Sequence, residues 1–386
     1  MEKRKIAVIT GSRAEYGILK PLIQKIKNSE NLRLILLVTG MHLLKKYGMT
    51  IEEIKKDGFK INGEIKMYEG APRDRTYYGE SLGRGIKDFV KLLSKIKPHI
   101  VVVFGDRLEP LAATLAAASL RIPISHIHGG DKTDSGHIDE SIRHAITRFV
   151  HIHLAPTEKC KDRLIKGGEE PWRVYKVGAL GLDSVLKTPL IKKNRIFQKL
   201  NLNLYQKTIL CIFHPVHLEA EKMGEQMREI IAALKELKVQ SLIIYPNNDA
   251  GTQDIIREIE KVRDLPFLKV SQNIFHSEYV NLLRYVNVLI GNSSSGIIEA
   301  PSLKLPAVNI GSRNVGREHG ENVIYVDADK RKIMKAIRKA LYDSRFLIRV
   351  KQCKNPWGDG KTSGRIIKIL SKIKLDKKLL QKKITY

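Results

Sequence analysis

The sequence holds little cysteine. Its three residues, Cys160, Cys211 and Cys353, are odd in number and far apart, which excludes a disulfide framework and a closely spaced zinc motif. Aromatic residues make up 6% of the chain, too few to offer stacking platforms to single-stranded nucleic acid. No run of eighteen apolar residues occurs, so nothing reads as a membrane span. The N-terminus passes from Met1-Glu-Lys-Arg-Lys5 directly into the strand-like Ile6-Ala-Val-Ile-Thr10, without a secretory apolar segment, and the expected location is the cytoplasm. Acidic residues are also scarce. The 41 Asp and Glu against 69 Lys and Arg leave a net charge of +28, which raises nucleic acid or anionic membrane as partners. The lysines, however, are spread over most expected helices and are densest in the tail Lys372–Lys383, so neither partner is expected.

What is present is a chain of 386 residues with 42% apolar content, enough for two or three domains with sizeable cores. Short β-branched runs alternate with helical patterns at Lys5–Thr10, Leu32–Thr39, His99–Gly105, Pro123–His128 and Arg173–Val177. After the polar stretch Lys187–Asn194 the alternation restarts at Thr208–Phe213, Ser241–Tyr245, Phe267–Val270, Val286–Ile290 and Ala307–Ile310. This pattern predicts an α/β fold of two doubly wound, Rossmann-like domains, 1–187 and 188–364. The tail 365–386 is open to either domain, with packing back on the N-terminal one the reading kept. In such a pair, ligands bind at the strand C-termini, across the interdomain cleft.

The polar residues do cluster just after the strands, in Gly11–Gly17, Gly105-Asp106-Arg107, His126–Asp131 and Phe213–His217. The most informative stretch is Val286–Glu299, where an apolar run stops in Gly291-Asn-Ser-Ser-Ser-Gly296 and a helix is expected to open. Unpaired N–H groups, a helix dipole and three hydroxyls there suit a diphosphate; a plain helix cap is the alternative. Asp106 ends a fully apolar strand, where partial desolvation suits general acid–base work, or else it caps the next helix around Pro110–Leu120. Asp139 and Arg143 share a helix face at i,i+4, as do Glu140 and His144, which a surface ion pair would explain equally. His126, His128 and His137, with Asp131 and Asp139 nearby, match no common zinc spacing, and no metal is assigned. Gly358-Asp-Gly360-Lys361-Thr362 looks like the end of a P-loop but lacks its first glycine and its preceding strand. Gly11 and Gly17 likewise make no dinucleotide fingerprint.

Taken in order, Gly11–Tyr16, Val103–Arg107, His126–Gly130, Ile138–Thr147, His214-Pro-Val216, Pro246–Gly251, Ile290–Gly296 and Gly311–Glu318 resemble the UDP-N-acetylglucosamine 2-epimerases, in detail their hydrolysing branch, over nearly the whole chain. The resemblance implies a glycosyltransferase-B fold, two domains facing a cleft, no cofactor, a nucleotide-sugar substrate and a homo-oligomer, dimer or tetramer. It implies UDP held by Ser293 and Ser294 at the diphosphate and Glu299 at the ribose, with Arg313, Arg13 and Arg107 near the phosphates and His214 and Asn247 lining the site. Asp106, Asp139 and Arg143 would be the acid–base groups. His128 stands where many relatives carry Glu, and His214 is a further catalytic candidate. The implied reaction is elimination of UDP to a 2-acetamidoglucal followed by addition of water, giving N-acetylmannosamine. The alternatives kept are a hydrolysing epimerase of UDP-N,N′-diacetylbacillosamine, a non-hydrolysing epimerase, and a glycosyltransferase on the same fold. Arg257 matches one position of a feedback site known in some relatives, but Glu260 replaces a basic residue, so no such inhibition is expected.

Overall fold

The structure, a computed structural model, describes residues 2–45, 48–69, 76–133, 138–247 and 251–386, the side chain of His217 excepted. The chain divides into two compact units, one formed by Met1–Asp131, Ile138–Ser184 and Gly358–Tyr386, the other built on Val185–Trp357.

The first unit carries a seven-stranded sheet of order β3-β2-β1-β4-β5-β6-β7, every neighbouring pair parallel. Its strands are β1 (Arg4–Thr10), β2 (Leu32–Thr39), β3 (Ile61–Ile65), β4 (Ile100–Phe104), β5 (Ile124–Ile127), β6 (Ile152–Ala155) and β7 (Val174–Lys176). Strands buried on both faces need apolar side chains at every position, and Ile100-Val-Val-Val103 is fully buried. Helices cover both faces: Arg13–Lys27 and Thr362–Lys372 pack on one side around Leu19, Ile23 and Ile366, while Tyr77–Ile96 and Leu108–Ser119 pack on the other around Phe89, Ala112 and Ala116.

The second unit repeats the plan with six parallel strands in the order β10-β9-β8-β11-β12-β13. They are β8 (Thr208–Ile212), β9 (Gln240–Ile244), β10 (Leu268–Ser271), β11 (Val288–Gly291), β12 (Ala307–Ile310) and β13 (Val323–Val326). In each sheet the strand order reverses once, between β1 and β4 and between β8 and β11. At such a reversal the loops from the two strands leave in opposite directions and open a crevice at their carboxyl ends.

Three strands escaped the sequence reading: β3, β6 and β13. The edge strands β3 and β13 lack fully buried faces, and β6 is four residues long, so none shows a distinctive apolar pattern. The C-terminal segment is tied into the first unit by buried Arg173. Its guanidinium donates to the carbonyls of Lys378 and Gln381, both at 2.9 Å, and of Leu379 at 2.6 Å. Glu169, fully buried, adds a second clasp, accepting from His153 at 2.9 Å and meeting Arg148 and Lys382. All three cysteines are free and buried. Among the described residues no helix is long and apolar enough to cross a membrane.

Candidate active site

In the first unit the crevice at β1 and β4 is built from Gly11-Ser-Arg13 and Gly105-Asp106-Arg107. His126, on β5 and fully buried, has an imidazole pushed down to about 3 by burial, so it is neutral. Its Nε2–H donates to the carbonyl of Gly105 at 2.7 Å and so fixes the turn that presents Asp106. Asp106 does not cap the helix Leu108–Ser119, whose N-cap position is Arg107. Its carboxylate accepts instead from Arg143, which also pairs with Glu140 and donates to the carbonyl of Asp131 at 3.2 Å. Arg143 comes from the helix Ile138–Phe149 and its side chain is nearly buried. Burial opposes its charge, but Asp106, Glu140 and Asp131 hold its guanidinium above the ordinary value. Asp139, in the first turn of that helix, lies close enough to raise the pKa of both Arg107 and Glu109. The Glu140–His144 pair expected at i,i+4 is present at 3.1 Å, and Arg143 itself turns to Glu140 at i,i+3.

Behind this cluster lie two further buried carboxyls. Glu109 is fully buried, with Arg107 Nε 3.7 Å from its Oε2 and Tyr68 beside it. Gly11 permits this packing, since a Cβ there would stand 2.8 Å from Glu109 Cγ. Burial raises the pKa of Glu109, and burial together with Glu109 raises that of Glu15 further, although Gly11 N–H donates to Glu15 at 3.3 Å. Arg13 points elsewhere: it is half-exposed and paired with Glu53 at 3.1 Å. His128 sits at a left-handed φ of +73°, its Nε2 3.5 Å from Asp131.

In the second unit the crevice at β8 and β11 brings His214 and the Asn292–Ser294 turn together. Asn292, 1% exposed, accepts from the backbone N–H of His214 at 2.6 Å and donates back to its carbonyl at 2.7 Å. The backbone carbonyl of Asn292 accepts from Arg313 at 3.1 Å and from Asn314 at 2.9 Å, so one residue joins three loops. His214 Nδ1 accepts the backbone N–H of Asn247 at 3.1 Å, which leaves the proton on Nε2. Burial and then Arg313 push its pKa down to about 3, making it a neutral donor. Gly291 has φ +114°, and any Cβ would fall 2.1 Å from the carbonyl oxygen of Ile212.

The helix expected after this turn is a single turn, Ser295–Ile298. One turn sums few peptide dipoles, so any anion here would rest on local N–H groups and hydroxyls more than on a macrodipole. Ser293 and Ser294 begin the turn, their carbonyls accepting from Gly296 at 3.1 Å and Ile298 at 2.9 Å. Tyr279 packs its hydroxyl against Ser295 and Ser293. Glu299 follows, its pKa raised by burial, with an Oε2 that is buried and has no hydrogen-bond partner.

The chain matches the profile of the UDP-N-acetylglucosamine 2-epimerase family over residues 24–371. It is 37% identical over 379 residues to the UDP-N,N′-diacetylbacillosamine 2-epimerase (hydrolyzing) of Legionella pneumophila, covering 98% of each chain. The chain belongs to the UDP-N-acetylglucosamine 2-epimerase family. A further member, the UDP-N-acetylglucosamine 2-epimerase of Neisseria meningitidis serogroup B, is 36% identical over 346 residues, 89% of each chain. Among solved structures, the Neisseria meningitidis UDP-GlcNAc 2-epimerase bound to UDP-GlcNAc aligns with TM-score 0.83 at 20% identity, over 96% of this chain and 100% of that one. The fold is accordingly of the glycosyltransferase-B type.

Within this family member several site neighbours were not singled out by sequence reasoning. Glu15 and Asn292 stood inside quoted motifs without an assigned place and Asp131 was weighed only beside the histidines, whereas Glu109 and Tyr68 carry no local signal and are brought in only by packing. The P-loop look-alike has its own explanation. The N–H groups of Thr362 and Ser363 both donate to buried Asp183 at 2.8 Å, so this turn is a helix cap closed by a carboxylate. His137 lies outside the described residues, as do Asn248, Asp249 and Ala250 of the Pro246–Gly251 motif. Among the described residues no three His, Cys, Asp or Glu side chains group to hold a metal ion.

Proposed function

We propose that this chain is a hydrolysing 2-epimerase that converts UDP-N-acetylglucosamine and water to N-acetylmannosamine and UDP. The observation that carries the reading is the Asp106 carboxylate at the end of β4, held by buried Arg143 with Glu140 and Asp139 on the same helix. Removing a proton from C2 while the C1–O bond to UDP breaks needs a base beside the sugar and charge stabilisation at the leaving group. Asp106 and Asp139 are the proton carriers in this reading, and Arg143 orients Asp106. Addition of water at C1, with a proton delivered to the opposite face of C2, completes the inversion. His128 is a further proton-transfer group. On the second unit, the Ser293–Ser294 turn, the neutral Nε2–H of His214 and Arg313 suit a diphosphate, with Asn247 beside them. The buried, unpartnered oxygen of Glu299 suits ribose hydroxyls, since a buried acceptor gains most from O–H donors. Arg107 and, on leaving Glu53, Arg13 are the first unit's phosphate ligands.

A second reading, UDP-N,N′-diacetylbacillosamine as substrate, is favoured by the Legionella relative, whose similarity runs over 98% of both chains. The purified protein is incubated with each sugar nucleotide in heavy water, with UDP release and the sugar product followed by NMR. Hydrolytic epimerisation yields free manno-configured sugar with deuterium at C2. UDP release only on adding an acceptor sugar, with no deuterium at C2, would make the protein a glycosyltransferase. Epimerisation with the nucleotide still attached would make it non-hydrolysing.

A further inference from the structure

His128 occupies an uncomfortable position. Its φ of +73° is left-handed, a conformation unfavourable for a residue with a Cβ, so the surrounding structure must hold it there. The hold is visible: its N–H donates to the carbonyl of Leu154 at 3.1 Å, and its ring leans on Phe104 with centroids 5.7 Å apart. Two residues later the loop is locked again. Gly130 has φ +77°, and a Cβ there would lie 2.4 Å from the carbonyl oxygen of Cys160, while its own carbonyl accepts from Arg163. Directly after this second fixed point the carboxylate of Asp131, 5% exposed, is 3.5 Å from His128 Nε2, and the Asp131 carbonyl accepts from Arg143.

We propose that Asp131 is a positioning residue for His128, forming a carboxylate–imidazole pair that lets a histidine do proton transfer at the sugar. The inference rests on the reading of the site as a 2-epimerase and names a residue that reading does not use. The carboxylate stands on the Nε2 side of the ring, where it can hold the imidazole in one orientation. A proton that the ring takes up from the sugar makes an imidazolium beside a carboxylate, and the ring gives that proton up again to complete the turnover. The locked backbone makes the geometry independent of substrate, as a preorganised pair requires.

The test is a double-mutant cycle on the full chain with UDP release as readout. Asp131→Asn is expected to lower kcat about 100-fold, with KM and UDP affinity within about twofold of wild type. His128→Gln is expected to lower kcat at least as far, and adding Asp131→Asn to it is expected to change nothing more, because the pair acts as one unit. Asp131→Glu restores the charge and is expected to recover part of kcat, which also keeps the test open should the Asn variant fold poorly. An additive cycle, an undiminished kcat in Asp131→Asn, or a Glu variant as impaired as the Asn variant would each overturn the pair while leaving the epimerase reading standing. A wild-type protein that releases no UDP from either sugar nucleotide would overturn both.

Discussion

Asp183 shows how one buried carboxylate keeps the C-terminal helix on the first unit, and replacing it by alanine gives a measurable consequence. The side chain is fully buried and accepts three hydrogen bonds, from the backbone N–H groups of Thr362 and Ser363 at 2.8 Å each and from the Ser363 hydroxyl. The two N–H groups open the helix Thr362–Lys372, whose Ile366 and Leu370 are buried in the core beside Leu19 and Ile23. Asp183→Ala strands all three donors. Each buried donor without a partner costs about 1–3 kcal/mol, and water entering the space left by the carboxylate recovers part of that, so the expected loss is about 3–5 kcal/mol. Against a domain stability of about 5–15 kcal/mol, this is a large fraction. The two tryptophans give a clean assay, because Trp172 belongs to the first unit and Trp357 to the second. In urea unfolding of Trp357→Phe and Trp172→Phe backgrounds, each followed by its remaining tryptophan, the Trp172 transition should move down by about 2 M while the Trp357 transition stays in place. Asp183→Asn, which keeps one carbonyl acceptor, should fall between. A Trp172 midpoint that moves by less than about 0.3 M would refute the assignment of Asp183 as the helix anchor.

Asp106→Asn and Asp139→Asn are each expected to lower turnover by about 10²–10⁴-fold while UDP affinity by calorimetry stays near wild type, because proton transfer and nucleotide binding use different groups; retained turnover in both would remove them as proton carriers. For pH, buried His126 is neutral in the folded protein, with a pKa of about 3 against about 6.5 unfolded. The unfolded chain therefore takes up a proton below about pH 6.5 that the folded one refuses, and this residue's contribution is full above that pH and lost as pH falls toward 3. Between about pH 8 and about pH 5 the wild type should lose about 2 kcal/mol relative to His126→Gln, and a pH-independent difference between the two proteins by urea unfolding would contradict this.

The sequence by itself determined the alternation of apolar strands and amphipathic helices, because strands buried on both faces must be apolar throughout, as Ile100-Val-Val-Val103 is. It also placed the polar loops directly after the strands, where a doubly wound sheet opens its crevice. The edge strands Ile61–Ile65 and Val323–Val326, without that burial, left no such mark, and Ile152–Ala155, though buried, is short and interrupted by His153. Only the tertiary structure decided partners. Asp106 reads equally well as a helix cap until Arg143, 37 residues on, is seen to take its carboxylate. The Gly358–Thr362 turn reads as half a phosphate loop until Asp183, distant in the chain, occupies its N–H groups. Glu109, in the first turn of an alanine-rich helix, carries no mark of its burial in the local sequence; Gly11, from the first loop, leaves it room. Local pattern is set by which face must be dry, and that is written in the order of residues. Which polar groups meet is set by sheet order and loop closure, and those are properties of the folded chain alone.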